Sequence, residues 1–479
     1  MNMKKIFIII SAFLVLVAPS CTKNLNDPQK QATVVPPGSL LTNAEKEFAD
    51  AMTTPNVNSN IFRLLAQQWA QTTYPDESQY DLNTRNIPQN FWNAIYRDVL
   101  KDLNESTKLV NEDQLLDPVV KANQLAMNEI LTVHAYSVLV NTYGDIPYTQ
   151  ALTFENLQPQ YDDAATVMDD LLARLTAAIS SINVDEEGFG DADLFYGGDM
   201  AQWVKYGNSL KLKLGMLLAD VDEGKARAAV ESAVAGGVFT SSADDLTFQY
   251  LGAPPNHNPV WEELVQSGRN DFVAANTFLD ALVDIDDPRL GVYFTEVPDV
   301  GGYKGGIYGT NNNYNSYSQP SEASTEPDFP SPLLTYYDVE FLLAEAVERG
   351  FAVGGSAEEH YNNALTNAMA SWGVPVEDIS SYLANPQVNY ATASGDWREK
   401  IGMQKWFALY DRGWEAWTEW RRFDVPDLVA PPTTVEPIPW RYTYPVAEQN
   451  LNTANWESAK GKLPGGLDKT NIKLFWDVN

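Results

Sequence analysis

Hydrophobic periodicity makes this chain helical over most of its length. From Phe91, apolar side chains return as Phe91, Ile95, Val99 and Leu103, with Trp92, Tyr96 and Leu100 widening the stripe. A spacing of three to four residues puts them on one helical face, and that face must be buried. Beyond Tyr161 the same spacing recurs in Met168, Leu171, Leu172, Leu175, Ile179 and Ile182. Asp162 or Asp163 stands where a carboxylate can accept the free N–H groups of that helix's first turn. A pair of antiparallel helices joined by a loop is expected, and comparable stretches run over residues 120–143, 199–219, 224–235, 338–350, 357–372 and 397–420. Small and large residues alternate at helical spacing in Ala357, Tyr361, Ala364, Leu365 and Ala368. Tetratricopeptide-type hairpins use that alternation to bring two helices close, although no clean repeat of about 34 residues runs through the chain.

The pattern breaks over residues 296–332. Gly301, Gly302, Gly305, Gly306 and Gly309 are interspersed there with Asn311, Asn312 and Asn313, and Pro320, Pro327, Pro330 and Pro332 follow. Unstructured connections longer than about 12–15 residues are uncommon in compact domains and usually carry function or are disordered. The tail after Pro426 is also rich in proline and weak in periodicity.

The N-terminus predicts export. Lys4 and Lys5 precede an uncharged run over residues 6–17, and Ala18, Pro19 and Ser20 lead to Cys21, the single cysteine. These are the charged, apolar and small-residue regions of a cleavable signal. The run is shorter than the roughly 20 apolar residues a membrane-spanning helix needs. Residues 1–20 are therefore expected to be removed, leaving residues 21–479 as one integrated domain. Cys21 at the cut site is expected to take diacylglyceryl, and two or more acyl chains anchor a protein stably where one does so marginally. The site departs from the usual pattern in having Ala18 where such signals carry Leu. A single cysteine also means that the mature chain relies on a packed core and not on disulfides.

Charge narrows the partners. With 64 acidic against 32 basic residues the formal net charge is −32, which repels nucleic acid and anionic lipid. The plain reading of this acidity is a solvated surface, and the sharper one is a cationic ligand.

An ordered series of short motifs resembles the SusD/RagB-like nutrient-binding lipoproteins of Bacteroidetes outer membranes, in their divergent second branch. It begins with Cys21-Thr22-Lys23-Asn24-Leu25-Asn26-Asp27-Pro28, then Tyr143-Gly144-Asp145-Ile146-Pro147-Tyr148, Tyr196-Gly197-Gly198-Asp199 with Trp203, Asn208 and Leu210, and Asp287-Pro288-Arg289-Leu290. It continues with Phe341-Leu342-Leu343-Ala344-Glu345-Ala346, Gln404-Lys405-Trp406, Glu415-Ala416-Trp417, Glu419-Trp420-Arg421-Arg422 and Pro426. The resemblance implies an all-α body built on four tetratricopeptide-like helix hairpins with long irregular loops. It implies a lipid-tethered lid, facing outward on the outer membrane, over a TonB-dependent barrel transporter, with no cofactor and no covalent chemistry. The motifs are mostly fold-forming, so no ligand residue is carried over from them.

Candidate ligand-binding residues come from the loops. Of thirteen tryptophans, Trp397, Trp406, Trp414, Trp417, Trp420, Trp440, Trp456 and Trp476 crowd the C-terminal end and suggest a sugar-stacking platform. Trp406, Tyr410, Trp414 and Trp417 share one helical face, however, and such a stripe reads as core. Tyr303, Tyr308, Tyr314 and Tyr317 instead sit among glycines and asparagines, where no helix can bury them in register. Loops lie at the surface and carry function, so these four, with Tyr74 and Tyr80 from a second Pro- and Asp-containing segment, are expected to border one shallow groove. The competing reading is a locally packed loop that its tyrosines pin down.

No enzyme motif stands out: His-Glu-x-x-His, Gly-x-Ser-x-Gly and a phosphate loop are all missing from the sequence. His134, His257 and His360 have no metal partner at ligand spacing, so no metal site is expected. Asp284, Asp286 and Asp287, or Asp185, Glu186 and Glu187, offer hard oxygen ligands for calcium, but the nearest calcium-loop pattern, from Asp220, lacks its closing glutamate. The expected function is capture of an oligosaccharide for the transporter. The alternatives are the same lid role with a peptide ligand, or a scaffold with no small ligand.

Overall fold

The computed structural model describes residues 35–153, 155–434 and 436–478, so the expected signal and Cys21 lie outside the described residues. The unit from Pro37 onward is mostly helical, as the periodicity predicts. After α1 (Pro37–Thr53), α2 (Ile87–Asn93) passes through a π-helical turn over Ala94–Leu100 into α3 (Lys101–Glu112). The stripe of Phe91, Ile95, Val99 and Leu103 is buried, and α1 packs along this run.

Consecutive helices then pair as hairpins four times. α4 (Pro118–Tyr143) pairs with α5 (Ala164–Ser181), α6 (Met200–Leu217) with α7 (Glu223–Gly236), α8 (Tyr336–Glu348) with α9 (Ala357–Ala370), and α10 (Trp397–Ala408) with α11 (Gly413–Phe423). Each hairpin touches the next, through α5 on α6, α6 on α8 and α8 on α10. Short polar side chains start these helices: Asp117 caps α4, Asp199 caps α6, Asp222 caps α7, and Thr335 with Asp338 forms a reciprocal capping box on α8. Asp163 caps α5 by accepting from Thr166 N at 2.9 Å. Asp162 accepts instead from the backbone of Tyr148 and Thr149. Gly215 lets α6 and α7 close on each other, because a Cβ there would lie 3.0 Å from the Ala229 Cβ.

Residues 397–420 depart from the expected single helix. α10 ends at Ala408, Asp411 takes a φ of +66°, and α11 begins at Gly413. Tertiary packing overrides the continuous pattern: a Cβ on Gly413 would sit 2.4 Å from Arg63 N, and Asp411 accepts from Arg63 Nε at 2.8 Å. The break makes the fourth hairpin. Its aromatic face is nevertheless core, with Trp406, Tyr410, Trp414 and Trp417 all buried. The polar tips find partners, Trp406 donating to Ala66 O, Trp414 to Thr142 Oγ1 and Trp417 to Pro439 O. The tail after Pro426 is also more ordered than its composition suggests, since it holds α12 (Val446–Leu451) and α13 (Thr453–Lys462).

Sheet among the described residues is confined to three antiparallel pairs. β1 (Trp69–Gln71) pairs with β5 (Phe272–Ala274), β2 (Ile146–Pro147) with β3 (Tyr161–Asp162), and β4 (Leu246–Phe248) with β6 (Ser331–Leu334). The first of these carries the candidate site.

Candidate ligand-binding face

β1 and β5 join stretches of chain some two hundred residues apart, with Trp69 opposite Ala274 and Gln71 opposite Phe272. β1 leads into the segment of Tyr74 and Tyr80, while β5 leads into a helix over Asn276–Asp284 that precedes the excursion. The glycine-rich excursion folds back along β5: Gly306 N donates to Ala274 O, Ala274 N to Ser318 O, and Ser318 N to Lys304 O, each at 2.8 Å. Gly305 permits the contact, since a Cβ there would lie 2.4 Å from Asn276 Cα. Asn312, buried at the centre of the Asn run, donates to Gln71 O at 2.9 Å, and its backbone N–H reaches Thr72 O at 3.1 Å. The segment after β1 is folded around Gln71, which donates to Glu77 at 2.6 Å and accepts from Ser78 at 2.7 Å.

A third stretch, unforeseen from sequence, locks these two together. Gln79 and Thr433 both donate to Gly309 O, Thr434 donates to Gln79 O, and Gln67 donates to Val429 O. No local pattern marks residues 429–434 for this role, beyond prolines and threonines able to run extended and to donate hydrogen bonds. The excursion is thus long and irregular in backbone form, yet held by hydrogen bonds along its length.

The six candidate tyrosines divide into two groups. Tyr80 and Tyr308 are buried, with ring centroids 6.5 Å apart. The Tyr308 hydroxyl donates to Leu64 O at 2.6 Å, and burial pushes the Tyr80 hydroxyl up to about 12. These two pin the loops, the role of the competing reading. Tyr74 is 68% exposed and held at a φ of +53°. Tyr303, Tyr314 and Tyr317 are half-buried. Lys304 lies 4.9 Å from the Tyr317 ring centroid, and Tyr303 leans over Gly291. Exposed Asn311, Asn313 and Asn315 alternate with these rings. Flat aromatic faces beside amides that both donate and accept can stack on an apolar ring face and hydrogen-bond its edge.

The far end of the excursion serves another surface. Phe329 and Pro330 line a cleft with Trp372, Tyr337, Asp245 and Arg412. Burial raises the Asp245 carboxyl to about 7. α9 ends at Ala370, two residues before the expected limit, and Trp372 turns against Phe329 with centroids 5.4 Å apart.

The acidic groups offered for calcium are placed differently from a shared site. Asp287 is buried and bound by Arg289, with Nη2 to Oδ2 at 2.5 Å. Asp185, Glu186 and Glu187 rim an open surface depression. Among the described residues no group of three or more His, Cys, Asp or Glu could hold a metal ion.

Comparison with known proteins agrees with this architecture. A chitin-binding protein superposes with a TM-score of 0.81 at 24% identity, covering 92% of this chain and 100% of the other. A chitin-binding SusD homolog from Flavobacterium johnsoniae gives 0.77 at 22% identity, covering 92% and 98%. A SusD-like protein from Bacteroides thetaiotaomicron gives 0.78 at 22%, covering 93% and 99%. At these identities the likeness establishes the fold. No curated protein sequence is close enough to count as a relative. The profile of the second SusD-like family, "Starch-binding associating with outer membrane", matches residues 29–445, and the chain belongs to that family.

Proposed function

We propose that this protein is a lipid-anchored lid on the outward face of the outer membrane, which captures an oligosaccharide and passes it to a TonB-dependent barrel transporter. The observation that supports this reading is that hydrogen-bonded loops leave Tyr74 exposed and Tyr303, Tyr314 and Tyr317 half-buried, with exposed amides in the same excursion. The family's description as starch-binding and the chitin-binding titles of two structural neighbours support a glycan as the ligand. A peptide ligand is the second reading, favoured by the net charge of −32, which would steer cationic peptides inward.

Calorimetric titration of residues 22–479 with malto-, chito- and xylo-oligosaccharides and with basic oligopeptides separates the two. One sugar class is expected to bind. Replacing Tyr74, Tyr303, Tyr314 and Tyr317 together by Ala is expected to weaken it by at least about tenfold, since each stacking contact contributes about 0.5–1.5 kcal/mol. Binding of peptides but of no sugar would replace the glycan reading.

The anchor rests on Cys21 and on the finding that no described helix is long and apolar enough to cross a membrane. Cys21→Ser is expected to move the protein from the membrane pellet to the soluble fraction and to remove the acyl mass from its N-terminal peptide. An unchanged pellet fraction would place the anchor elsewhere.

A further inference from the structure

The cleft at the far end of the excursion has a volume of about 180 Å³, and Phe329, Pro330, Pro332, Tyr337 and Trp372 form its largely apolar walls. That is slightly more than the roughly 150 Å³ of an apolar cavity that holds one benzene, and less than the roughly 300–1,000 Å³ of sites for drug-sized molecules. The space suits one slim group of about six heavy atoms. Phe329, Pro330, Pro332 and Trp372 are half-buried, so the cleft is not closed over.

Asp245, immediately before β4, is the carboxylate in this cleft without a counter-ion among the described residues. Its Oδ1 accepts from the N–H of Tyr336, the first residue of α8, at 2.6 Å. Its Oδ2 has no hydrogen-bond partner among the described residues, and it is not sealed from solvent. The other charges around it are matched. Arg412 Nη1 lies 2.8 Å from Asp338 Oδ2, Asp411 lies 2.8 Å from Arg63, and the adjoining Asp244 lies 2.7 Å from Lys205. Burial raises the Asp245 carboxyl to about 7, opposed by the Tyr336 N–H and Arg412 and aided by Asp338 and Asp244.

A carboxylate that burial disfavours, set among aromatic walls, complements a cation on an apolar stem. The charge replaces the solvation that the carboxylate has lost, and aromatic faces attract cations. A sugar would instead set several hydroxyls against largely apolar walls, and an anion would be repelled. The approach is acidic too, since Glu322, Glu326 and Asp328 are exposed on the stretch leading to Phe329, and the net charge of −32 draws cations inward.

We infer that this cleft binds a lysine side chain of a polypeptide, with its methylenes along Phe329 and Trp372 and its ammonium on Asp245 Oδ2. The inference does not rest on the glycan reading, which concerns the tyrosine face.

The test compares an acetylated, amidated Gly-Lys-Gly peptide with its norleucine counterpart, which keeps the stem and drops the charge. Saturation-transfer NMR measures both against the mature chain and Asp245→Asn, at pH 8 and pH 6. At pH 8 the lysine peptide is expected to bind the wild-type chain at least about tenfold more tightly than it binds Asp245→Asn, and than the norleucine peptide binds the wild-type chain, the value of one charge-assisted hydrogen bond. At pH 6 the Asp245 carboxyl takes up its proton while lysine, with a pKa of about 10.4, stays charged. Wild-type affinity is then expected to fall by about tenfold, and that of Asp245→Asn to stay as it was. Asparagine keeps the acceptor for the Tyr336 N–H. A carboxyl raised in the folded state contributes stability that is lost as pH rises from 3.8 toward about 7, so the thermal midpoint of Asp245→Asn at pH 8 is expected to equal or exceed that of wild type. Equal affinity for the two peptides, lysine binding that Asp245→Asn retains, or no binding of the lysine peptide would each overturn the site.

Discussion

Arg289→Met is expected to destabilise the fold by about 3–5 kcal/mol, the cost of leaving a buried charge without its partner. Arg289 and Asp287 have fully buried side chains. The guanidinium donates to both Asp287 oxygens, at 2.9 and 2.5 Å, and to Gln404 Oε1 at 2.8 Å, between the rings of Phe407 and Tyr382. Tyr382 OH also donates to Asp287, at 2.7 Å. Methionine can fill the volume but leaves the carboxylate buried with only neutral donors. Adding Asp287→Asn removes that stranded charge while keeping an acceptor for Tyr382, so the double variant is expected to regain part of the loss. Urea denaturation midpoints of the two single variants and the double variant measure this coupling. A cost below about 1 kcal/mol for Arg289→Met would mean that the pair is solvated and that the account is wrong.

The second large effect is expected at Trp417, where truncation to Ala costs about 3–5 kcal/mol. Its ring is fully buried, 5.2 Å from the Phe62 centroid and 5.9 Å from that of Tyr442, with the Arg421 guanidinium 3.5 Å from its centre. The indole N–H donates to Pro439 O at 2.8 Å. Three distant stretches, residues 62–65, α11 and the tail, therefore meet on one side chain. Trp417→Phe keeps most of the apolar area and loses the hydrogen bond, so it should fall between wild type and Trp417→Ala. Denaturation midpoints rank the three proteins, and near-ultraviolet circular dichroism reports the loss of fixed aromatic packing. Equal stability for the Phe and Ala variants would show that the ring's area contributes little and the hydrogen bond dominates.

The sequence disclosed what depends on neighbours three or four residues apart. The buried stripe from Phe91 and the cap at Asp163 follow from spacing alone, whereas Trp406, Tyr410, Trp414 and Trp417 are core as expected but on two helices instead of one. Spacing could not disclose the break at Gly413, because its cause is the backbone of Arg63, some 350 residues earlier. The same holds for the candidate face. The flat loops and their tyrosines were legible as a change of pattern, yet burial of Tyr80 and Tyr308 arises from cross-chain contact between two loops and the tail.

The platform's dependence on three remote stretches sets an order of assembly. Each helix hairpin joins neighbours along the chain, and local contacts form quickly because little loop entropy is spent closing them. The tyrosine face is the opposite case: β1 waits for β5, the excursion must fold back on both, and Thr433 and Thr434 close it only after α11 has been made. A chain growing from its N-terminus can carry three complete hairpins before the stretch that closes the proposed tyrosine face has been made. A molecule cut short before residue 434 would lack both Thr434, which closes the loops, and Pro439 and Tyr442, which meet Trp417, so it is expected to lose part of its core together with the proposed face.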